Sequence, residues 1–358
     1  MSRGARLRSR WLAPLVLVLS GICVASLSAA EPLRTPDPPS LAAPHRENGR
    51  YFNPWAPHAK SFFDLLKWQV FSRNPYDKSG PLQVPRVPND GARLAGVENS
   101  ATVTWVGHAT FAVHDEGDVF LTDPHFGPRA LVPSRLVPPG IPIESVPAHA
   151  FGLISHNHYD PLDAWSVDRL PEAMPWFVPA GLGAWFRERG RANVVELDWW
   201  QSARHGRFTI TCLPSQHWSR RTPADTNESL WCAWLVETAQ RRYFFAGDTG
   251  YFPGFADYGR RFGPIDVAML PIGAYEPRWF MQYDHMNPAE AYQAFLDLRA
   301  RHMLAMHWGT FDLTDEPADL APHALAEAVR AKGGDASRTV VLAIGEQWHV
   351  PEDAAGAD

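Results

Sequence analysis

The segment "LISHNHYDPLD" (residues 153–163) is the most informative part of this chain, because it places metal-binding side chains directly after an apolar run. His156 and His158 are one residue apart, and Asp160 follows two residues later. A tight His-x-His turn can present both rings to one ion, and imidazole with carboxylate suits Zn²⁺, with Mn²⁺ or Fe²⁺ as alternatives. Pro161 comes next and has no side-chain donor atom. The segment therefore predicts a metal site to which Pro161 itself contributes no side-chain ligand.

Three more polar residues stand at the same relative place, just past the end of an apolar run. His217 follows "TITCL", Asp248 follows "RYFFA", and His307 follows "MLAM". In a layered α/β fold, strand ends of this kind gather along one rim, where ligands bind. A single histidine is more often structural than ligating, but the recurrence predicts that all of these side chains share one pocket.

The rest of the chain alternates short apolar runs with helical patterns, which predicts the α/β class and a layered sandwich. One helix is predicted in residues 287–302, where Asn287 can cap and Pro288 takes the first helical position, and another in residues 318–334. Strands are predicted within residues 101–114, 118–124, 150–155, 207–214, 231–238, 242–248, 267–273 and 302–311.

The first thirty residues have the pattern of a secretory leader. Four arginines precede an apolar stretch, and small residues end it at Ala30. Cleavage there predicts a secreted or periplasmic protein. An uncleaved membrane anchor is the alternative, because residues 11–30 are nearly long enough to span a bilayer.

The predicted organisation is a leader (1–30), a linker with a docking helix (31–95), a main hydrolase domain (96–350) and a tail (351–358). Residues 31–50 are rich in proline and charge. In "SFFDLLKWQVF" (61–71), Phe62, Leu65, Leu66 and Val70 have near-helical spacing. This pattern predicts a helix packed on the domain, or alternatively on a lipid surface.

The net charge and the cysteine content indicate which partners and which disulfide bonds the protein could have. The net charge of −6 argues against a nucleic-acid partner, and it becomes more negative if the arginine-rich leader is removed. Cys212 and Cys232 remain in the mature chain, where they could pair or stay as buried thiols.

Several long segments, in the same order along the chain, resemble the metallo-β-lactamase fold superfamily, and most closely its branch of N-acyl phosphatidylethanolamine-hydrolysing phospholipases D. The resemblance covers about residues 50–318 and implies a four-layer αβ/βα sandwich. The segments that carry it are "WVGHATF", "DPHF", "SHNHYD", "QHWSRRTPADTNESLWCAW", "FFAGDTGY", "PIGAYEPRWFM", "HMNPAEA" and "MHWGTFDLTDEP".

The resemblance implies a role for each candidate residue. The first metal would be held by His156, His158, His217 and Asp248. The second would be held by Asp160, the shared Asp248 and His307, with Pro161 where the family has a fourth ligand. One ion is therefore predicted and a second is left open.

Residues around the ligands have implied roles as well. Asp160 could alternatively accept a proton if the second position is empty, and Asp123 would orient a ligand. Arg221 and His285 match substrate-contacting positions, although Arg221 could instead pair with Asp225. His108, His125 and His285 lie in matching motifs and are candidates to substitute for the ligand missing at position 161, but His108 and His125 are expected instead to support loops around the site.

The predicted activity is metal-dependent hydrolysis by an activated water, with Asp160 and Asp248 as the catalytic carboxylates. The resemblance implies a phosphodiester substrate, either a small molecule or a phospholipid, and allows peripheral membrane contact. The alternatives are a lactone or amide hydrolase of the same fold, and a non-catalytic metal-binding envelope protein with a degenerate second site. The sequence does not specify the oligomeric state.

Overall fold

Two seven-stranded β-sheets form the frame of the part of the chain that the structure describes. The computed structural model describes residues 41–58, 60–96 and 100–352. The strands are β1 (Arg46–Glu47), β2 (Arg50–Tyr51), β3 (Thr102–Gly107), β4 (Thr110–Asp115), β5 (Asp118–Thr122), β6 (Phe151–Leu153), β7 (Trp176–Pro179), β8 (Val194–Leu197), β9 (Ser202–His205), β10 (Phe208–Leu213), β11 (Ala233–Glu237), β12 (Arg242–Phe245), β13 (Ile265–Pro271), β14 (Ala300–Met306), β15 (Thr339–Val340) and β16 (Gln347–His349).

The helices connect strands or cover the outer faces of the sheets. They are α1 (Phe62–Leu66), α2 (Ala164–Val167), α3 (Gly183–Glu188), α4 (Gly254–Phe262), α5 (Arg278–Met281), α6 (Pro288–Asp297) and α7 (Ala321–Ala331). A π-helical turn over Lys67–Phe71 continues α1, and short 3-10 turns occur at Ala92–Ala95, Ile143–Ser145 and Ala336–Arg338.

Both sheets are mixed, and each has one antiparallel half and one parallel half. The first has the order β16-β3-β4-β5-β6-β7-β8, and its pairs from β5 to β8 are parallel. The second has the order β15-β14-β13-β12-β11-β10-β9, and its pairs from β12 to β15 are parallel. Parallel strands end at the same edge, so several strand ends of both sheets come together at one rim.

The sheets pack face to face because their side chains alternate between an inner and an outer apolar face. Phe120 of β5 points inward, and its ring lies 6.0 Å from that of Phe208 and 5.6 Å from that of Tyr243 in the other sheet. Val119 and Leu121, its neighbours in the strand, join a separate cluster with Phe186 of α3 on the outer face. Helices α6 and α7 cover the other sheet. The α/β class and the four-layer αβ/βα sandwich are confirmed.

Helix α6 begins as predicted and ends earlier than predicted. Asn287 accepts from the backbone N–H of Glu290 at 2.8 Å, and Glu290 accepts from that of Asn287 at 2.9 Å, which forms a capping box. The predicted extension to residue 302 is wrong. The helix ends at Asp297, Arg299 turns the chain with a φ of 53°, and β14 begins at Ala300.

The helical segment after Ser61 packs on the domain through one tryptophan. Trp68 is buried, and its indole N–H donates to the Asp315 carboxylate at 3.1 Å. The prediction that Val70 belongs to the packed face is wrong, because 53% of Val70 and 76% of Phe71 are exposed. The π-helical turn shifts these two side chains away from the spacing of an ordinary α-helix.

Some sequence-based expectations fall wholly or partly outside the described residues. The leader (1–30), the start of the linker (31–40) and the end of the tail (353–358) lie outside them, so the leader and the secreted or periplasmic location stay predictions. Within the described ranges, no helix combines the length and the hydropathy that a bilayer-spanning segment needs. Cys212 and Cys232 are both buried free thiols.

Candidate metal centre

Histidines and carboxylates converge where strands of the two sheets end at a common rim. His156, His158 and Asp160 follow β6, and His217 follows β10. Asp248 follows β12 and His307 follows β14. His156, His217, Asp248 and His307 are buried, and His158 and Asp160 are partly buried. The six predicted metal ligands are therefore all brought to this rim.

Three imidazole nitrogens form the first part of the centre. His158 Nδ1 lies 2.8 Å from His156 Nε2 and 3.2 Å from His217 Nε2. His217 Nδ1 faces the Asp284 carbonyl oxygen at 3.1 Å and must donate to it, which leaves His217 Nε2 with a lone pair. The three nitrogens thus converge on one point, where a shared cation could be bound.

Asp123 reaches this first group through a serine. Ser155 donates its hydroxyl to Asp123 at 2.6 Å, so its oxygen accepts from His156 Nδ1 at 2.9 Å. Asp123 also accepts from the Ser155 backbone N–H at 2.7 Å. The relay selects the tautomer of His156 whose Nε2 is unprotonated, which is the form that binds a metal.

Two carboxylates and a histidine form the second part of the centre. His307 Nε2 lies 3.2 Å from an Asp160 oxygen and 3.1 Å from Asp248 Oδ1. Asp248 Oδ2 lies 3.8 Å from His156 Nε2 in the first group. Asp248 therefore directs one oxygen towards each group, as a bridging ligand does.

Close packing holds Asp248 at this position. Gly247, which precedes it, has a φ of 58°, and a Cβ at Gly247 would lie 2.5 Å from Ser155 Cβ. The first and second groups can approach each other because this position carries no side chain.

Two further histidines lie beside the second group. His108 Nε2 is 2.9 Å from Asp160 Oδ2, and the donor atoms of His108, Asp160 and His307 all lie within 4.8 Å of one another. Asp248, His285 and His307 form another such set. His108 contacts the loop after β6 through the Asp160 carboxylate, so its expected role in supporting a loop is compatible with this contact and stays a prediction. A role of His285 in substrate contact stays a prediction.

Burial sets the charge of the imidazoles. It holds the pKa of His156 and of His217 well below the usual value, and it lowers the pKa of His158 to about 4. Burial would also lower the pKa of His307, but Asp248 and Asp160 outweigh it and raise that pKa to about 10. The first group is thus neutral and ready to ligate, whereas the second group attracts positive charge. Both properties fit a divalent cation.

Arg221 contacts the metal-binding loop. Its Nη1 donates to the carbonyl oxygens of Asn157, His158 and Leu162 at 3.1, 3.1 and 2.7 Å. Its guanidinium carbon also lies 4.1 Å from the ring centroid of Tyr159. The Asp225 carboxylate instead accepts from the Arg221 backbone N–H at 3.0 Å, so the predicted side-chain pairing is wrong. We interpret Arg221 as a positioning residue, and substrate contact stays a prediction.

Replacing Arg221 by alanine should weaken metal binding by about 10–100-fold, because the loop that carries His156 and His158 loses three hydrogen bonds. A chelator competition titration measures this change. Arg220→Ala is the matched control, since Arg220 is exposed and lies against Trp218. A higher KM with unchanged metal affinity would instead assign Arg221 to the substrate.

Loops around the centre are held by polar contacts. His125 Nδ1 lies 2.6 Å from the Asp160 carbonyl oxygen, so His125 supports a loop as expected. Arg278 forms a bidentate pair with Glu290 at 2.8 and 3.0 Å and donates to the His285 carbonyl oxygen at 2.9 Å. This pair ties the start of helix α5 to helix α6 beside the metal centre.

The region of the chain that carries these residues matches a known protein family. The sequence profile of the β-lactamase superfamily domain matches residues 119–308. The matched region begins in β5 and extends just past His307, so it contains all six predicted metal ligands.

The chain is similar to two curated phospholipases. It is 36% identical over 329 residues to the N-acyl-phosphatidylethanolamine-hydrolyzing phospholipase D 1 of Caenorhabditis elegans, which covers 86% of this chain and 92% of the worm protein. It is 37% identical over 226 residues to the mitochondrial enzyme of the same name from Saccharomyces cerevisiae, which covers 60% of this chain and 48% of the yeast protein.

A solved metallo hydrolase from the archaeon Ignicoccus hospitalis has a similar architecture. The TM-score is 0.54 at 19% identity, over 70% of this chain and 98% of that protein. The likeness extends to the fold, including the pair of sheets that carries the centre.

Proposed function

Because this chain belongs to the β-lactamase superfamily, as a metal-dependent hydrolase of the metallo-β-lactamase fold, we propose that it hydrolyses phosphodiesters of the N-acyl phosphatidylethanolamine class. The chain is 36% and 37% identical to two relatives, and the names of both relatives state this substrate. The observation that carries the proposal is the buried centre in which the oxygens of Asp248 face two groups of donors.

We propose Zn²⁺ as the metal, with Mn²⁺ and Fe²⁺ as alternatives that the same donors accommodate. His156, His158, His217 and Asp248 would hold one ion, and Asp160, Asp248 and His307 would lie around a second. A divalent ion at such a site supplies Lewis-acid activation of water and stabilises negative charge on the substrate.

The chain's own residues would then control protons and orientation. Asp160 has its pKa held well below the usual value, because hydrogen bonds from His108 and His307 outweigh burial. It is therefore ionised and suited to bind a cation, and it would accept a proton from a water only if the second metal position were empty. His285 Nδ1 is buried without a hydrogen-bond partner and lies near Asp248 and His307, where it could donate to a phosphoryl oxygen.

We further propose that the helical segment after Ser61 contacts the lipid that carries the substrate. Val70 and Phe71 are exposed there, and Lys67 Nζ lies 4.6 Å from the ring centroid of exposed Trp279. Lys60 forms an ion pair with Asp284, the neighbour of His285, so this surface is joined to the site. Exposed apolar side chains on a short helical segment suit an interfacial position.

Chelation should abolish hydrolysis of bis(p-nitrophenyl) phosphate and of N-acyl phosphatidylethanolamine in vesicles, and added Zn²⁺ should restore both, because the site loses and then regains its Lewis acid.

The doubly substituted Val70→Ala, Phe71→Ala variant should be slower on vesicles and unchanged on the soluble ester. Product release is measured with each substrate, and metal content is measured by mass spectrometry.

Other outcomes separate the alternatives. Faster turnover of lactones or β-lactams than of either phosphodiester would make the substrate assignment wrong and leave metal dependence intact. Bound metal without turnover of any of these substrates would favour a non-catalytic metal-binding protein. Hydrolysis that persists after complete metal removal would contradict the proposal altogether.

A further inference from the structure

The second group of donors lacks a side-chain ligand from the position after Asp160. Pro161 stands there, and a pyrrolidine ring offers no donor atom. Asp160, Asp248 and His307 remain, which is a set of three protein ligands. We propose that His108, from the turn between β3 and β4, supplies the missing ligand and rebuilds a second metal site. This inference rests on the metal dependence of the proposed function and not on its substrate.

The position of the His108 ring supports this role. His108 Nε2 lies 2.9 Å from Asp160 Oδ2, and His307 Nε2 lies 3.2 Å from the same oxygen. The centroids of the two rings are 4.1 Å apart. Three donors from three separate segments thus converge on one point. A bound cation needs several donors in this arrangement, whereas a salt bridge needs only two residues.

The backbone of His108 is tied to the strand end that carries His307. The His108 N–H donates to the Thr310 hydroxyl at 2.6 Å, and its carbonyl accepts from the His307 N–H at 3.0 Å. Both residues have a left-handed backbone, with φ values of 55° and 64°. Non-glycine residues take this conformation at an energetic cost, and such positions cluster at functional sites. The two rings are therefore positioned together.

The ring of His108 is enclosed by the site. Only 2% of the residue is exposed, and its Nε2 faces the Asp160 carboxylate, where a metal bond could replace the hydrogen bond.

His285 is the competing candidate, and its place in the centre is different. Its ring centroid lies 5.4 Å from that of His217 and 5.4 Å from that of His307, between the two groups. His108 lies beside Asp160 and His307 only, and no contact joins it to the ring of His156, His158 or His217 within the described ranges. An outer position beside one group suits a ligand, whereas a position between the groups suits a substrate contact.

Metal stoichiometry tests the assignment without any substrate. The full chain and its variants are loaded with Zn²⁺, passed through a desalting column and analysed by mass spectrometry, and Co²⁺ titration followed by absorbance gives an independent count. We expect two ions per chain in the unaltered protein and one in both His108→Ala and His108→Gln. Glutamine can still donate to Asp160 through its amide but is a poor zinc ligand. Retention of the first ion shows that each variant is folded.

Matched variants separate the possible results. His302→Gln, on the opposite end of β14, and His285→Gln should both keep two ions. Two ions in His108→Gln would overturn the proposal and make His108 a residue that only positions Asp160. Loss of an ion in His285→Gln but not in His108→Gln would assign the ligand to His285. One ion in the unaltered chain would overturn the second site alone, whereas none would contradict the proposed function itself.

Discussion

Replacing Asp248 by asparagine should reduce hydrolysis by more than about 100-fold and lower the metal content, because this residue serves both groups of the centre. Outer partners of metal ligands already contribute about 10–100-fold, so loss of a bridging ligand exceeds that range. The Asp248 oxygens lie 3.8 Å from His156 Nε2 and 3.1 Å from His307 Nε2. Asparagine has nearly the same shape but carries no charge, so the change removes ligation and leaves packing intact. Turnover and metal content are measured on the same preparation.

Asp266→Asn is the matched control for this change. Asp266 accepts from the Arg242 backbone N–H at 2.7 Å and pairs with Arg301, at the beginning of β13 and away from the rim that carries the centre. The control should keep its metal and its turnover. If Asp248→Asn kept both ions and full activity, Asp248 would not be a ligand and the proposed centre would be wrong.

Replacing Phe120 by alanine should destabilise the fold by about 3–5 kcal/mol, the range measured for large aromatic side chains in close-packed cores. Phe120 has no exposed surface, and its ring contacts both sheets. The cavity would lie between the sheets, beside the rings of Phe151, Phe208 and Tyr243. The free energy of unfolding is measured by chemical denaturation of the metal-loaded protein.

Phe71→Ala provides the comparison for this core change. Phe71 is 76% exposed, so its removal should change the free energy of unfolding by less than about 0.5 kcal/mol. A loss below about 1 kcal/mol for Phe120→Ala would mean that the two sheets close over the cavity. The inter-sheet core would then be less rigid than its aromatic contacts indicate.

The sequence allowed prediction of the strands with continuous apolar runs and of the ligands that follow them. Each of the predicted runs overlaps at least one strand of the structure, because strands that are covered on both faces are apolar along most of their length. Strands β8 and β9 were not predicted, since their residues are mostly half-exposed and lack such a run. Strand β7 was missed because its apolar run lies between Pro175 and Pro179, and prolines within such a run are typical of a turn.

The roles of His108 and Arg221 could not be read from local sequence. His108 lies 52 residues from Asp160 and faces it only because β3 and β4 lie beside the same rim. Arg221 donates to carbonyl oxygens about 60 residues away, at positions 157, 158 and 162. Backbone carbonyls have no residue-type signature, so no motif reveals such a contact.

The chemical character of the centre follows from residue types and spacing alone, since imidazoles and carboxylates just past apolar runs are recognisable without coordinates. Tertiary structure decided which of these side chains lie within reach of one another, which histidine faces Asp160 beside Pro161 and which ring nitrogens of His156 and His217 have hydrogen-bond partners. These outcomes depend on how the rims of the two sheets meet. One contact between them is the hydrogen bond that the Cys232 N–H donates to the Ser155 carbonyl oxygen at 2.9 Å. Distances of this kind arise from long-range packing, which a one-dimensional pattern does not encode.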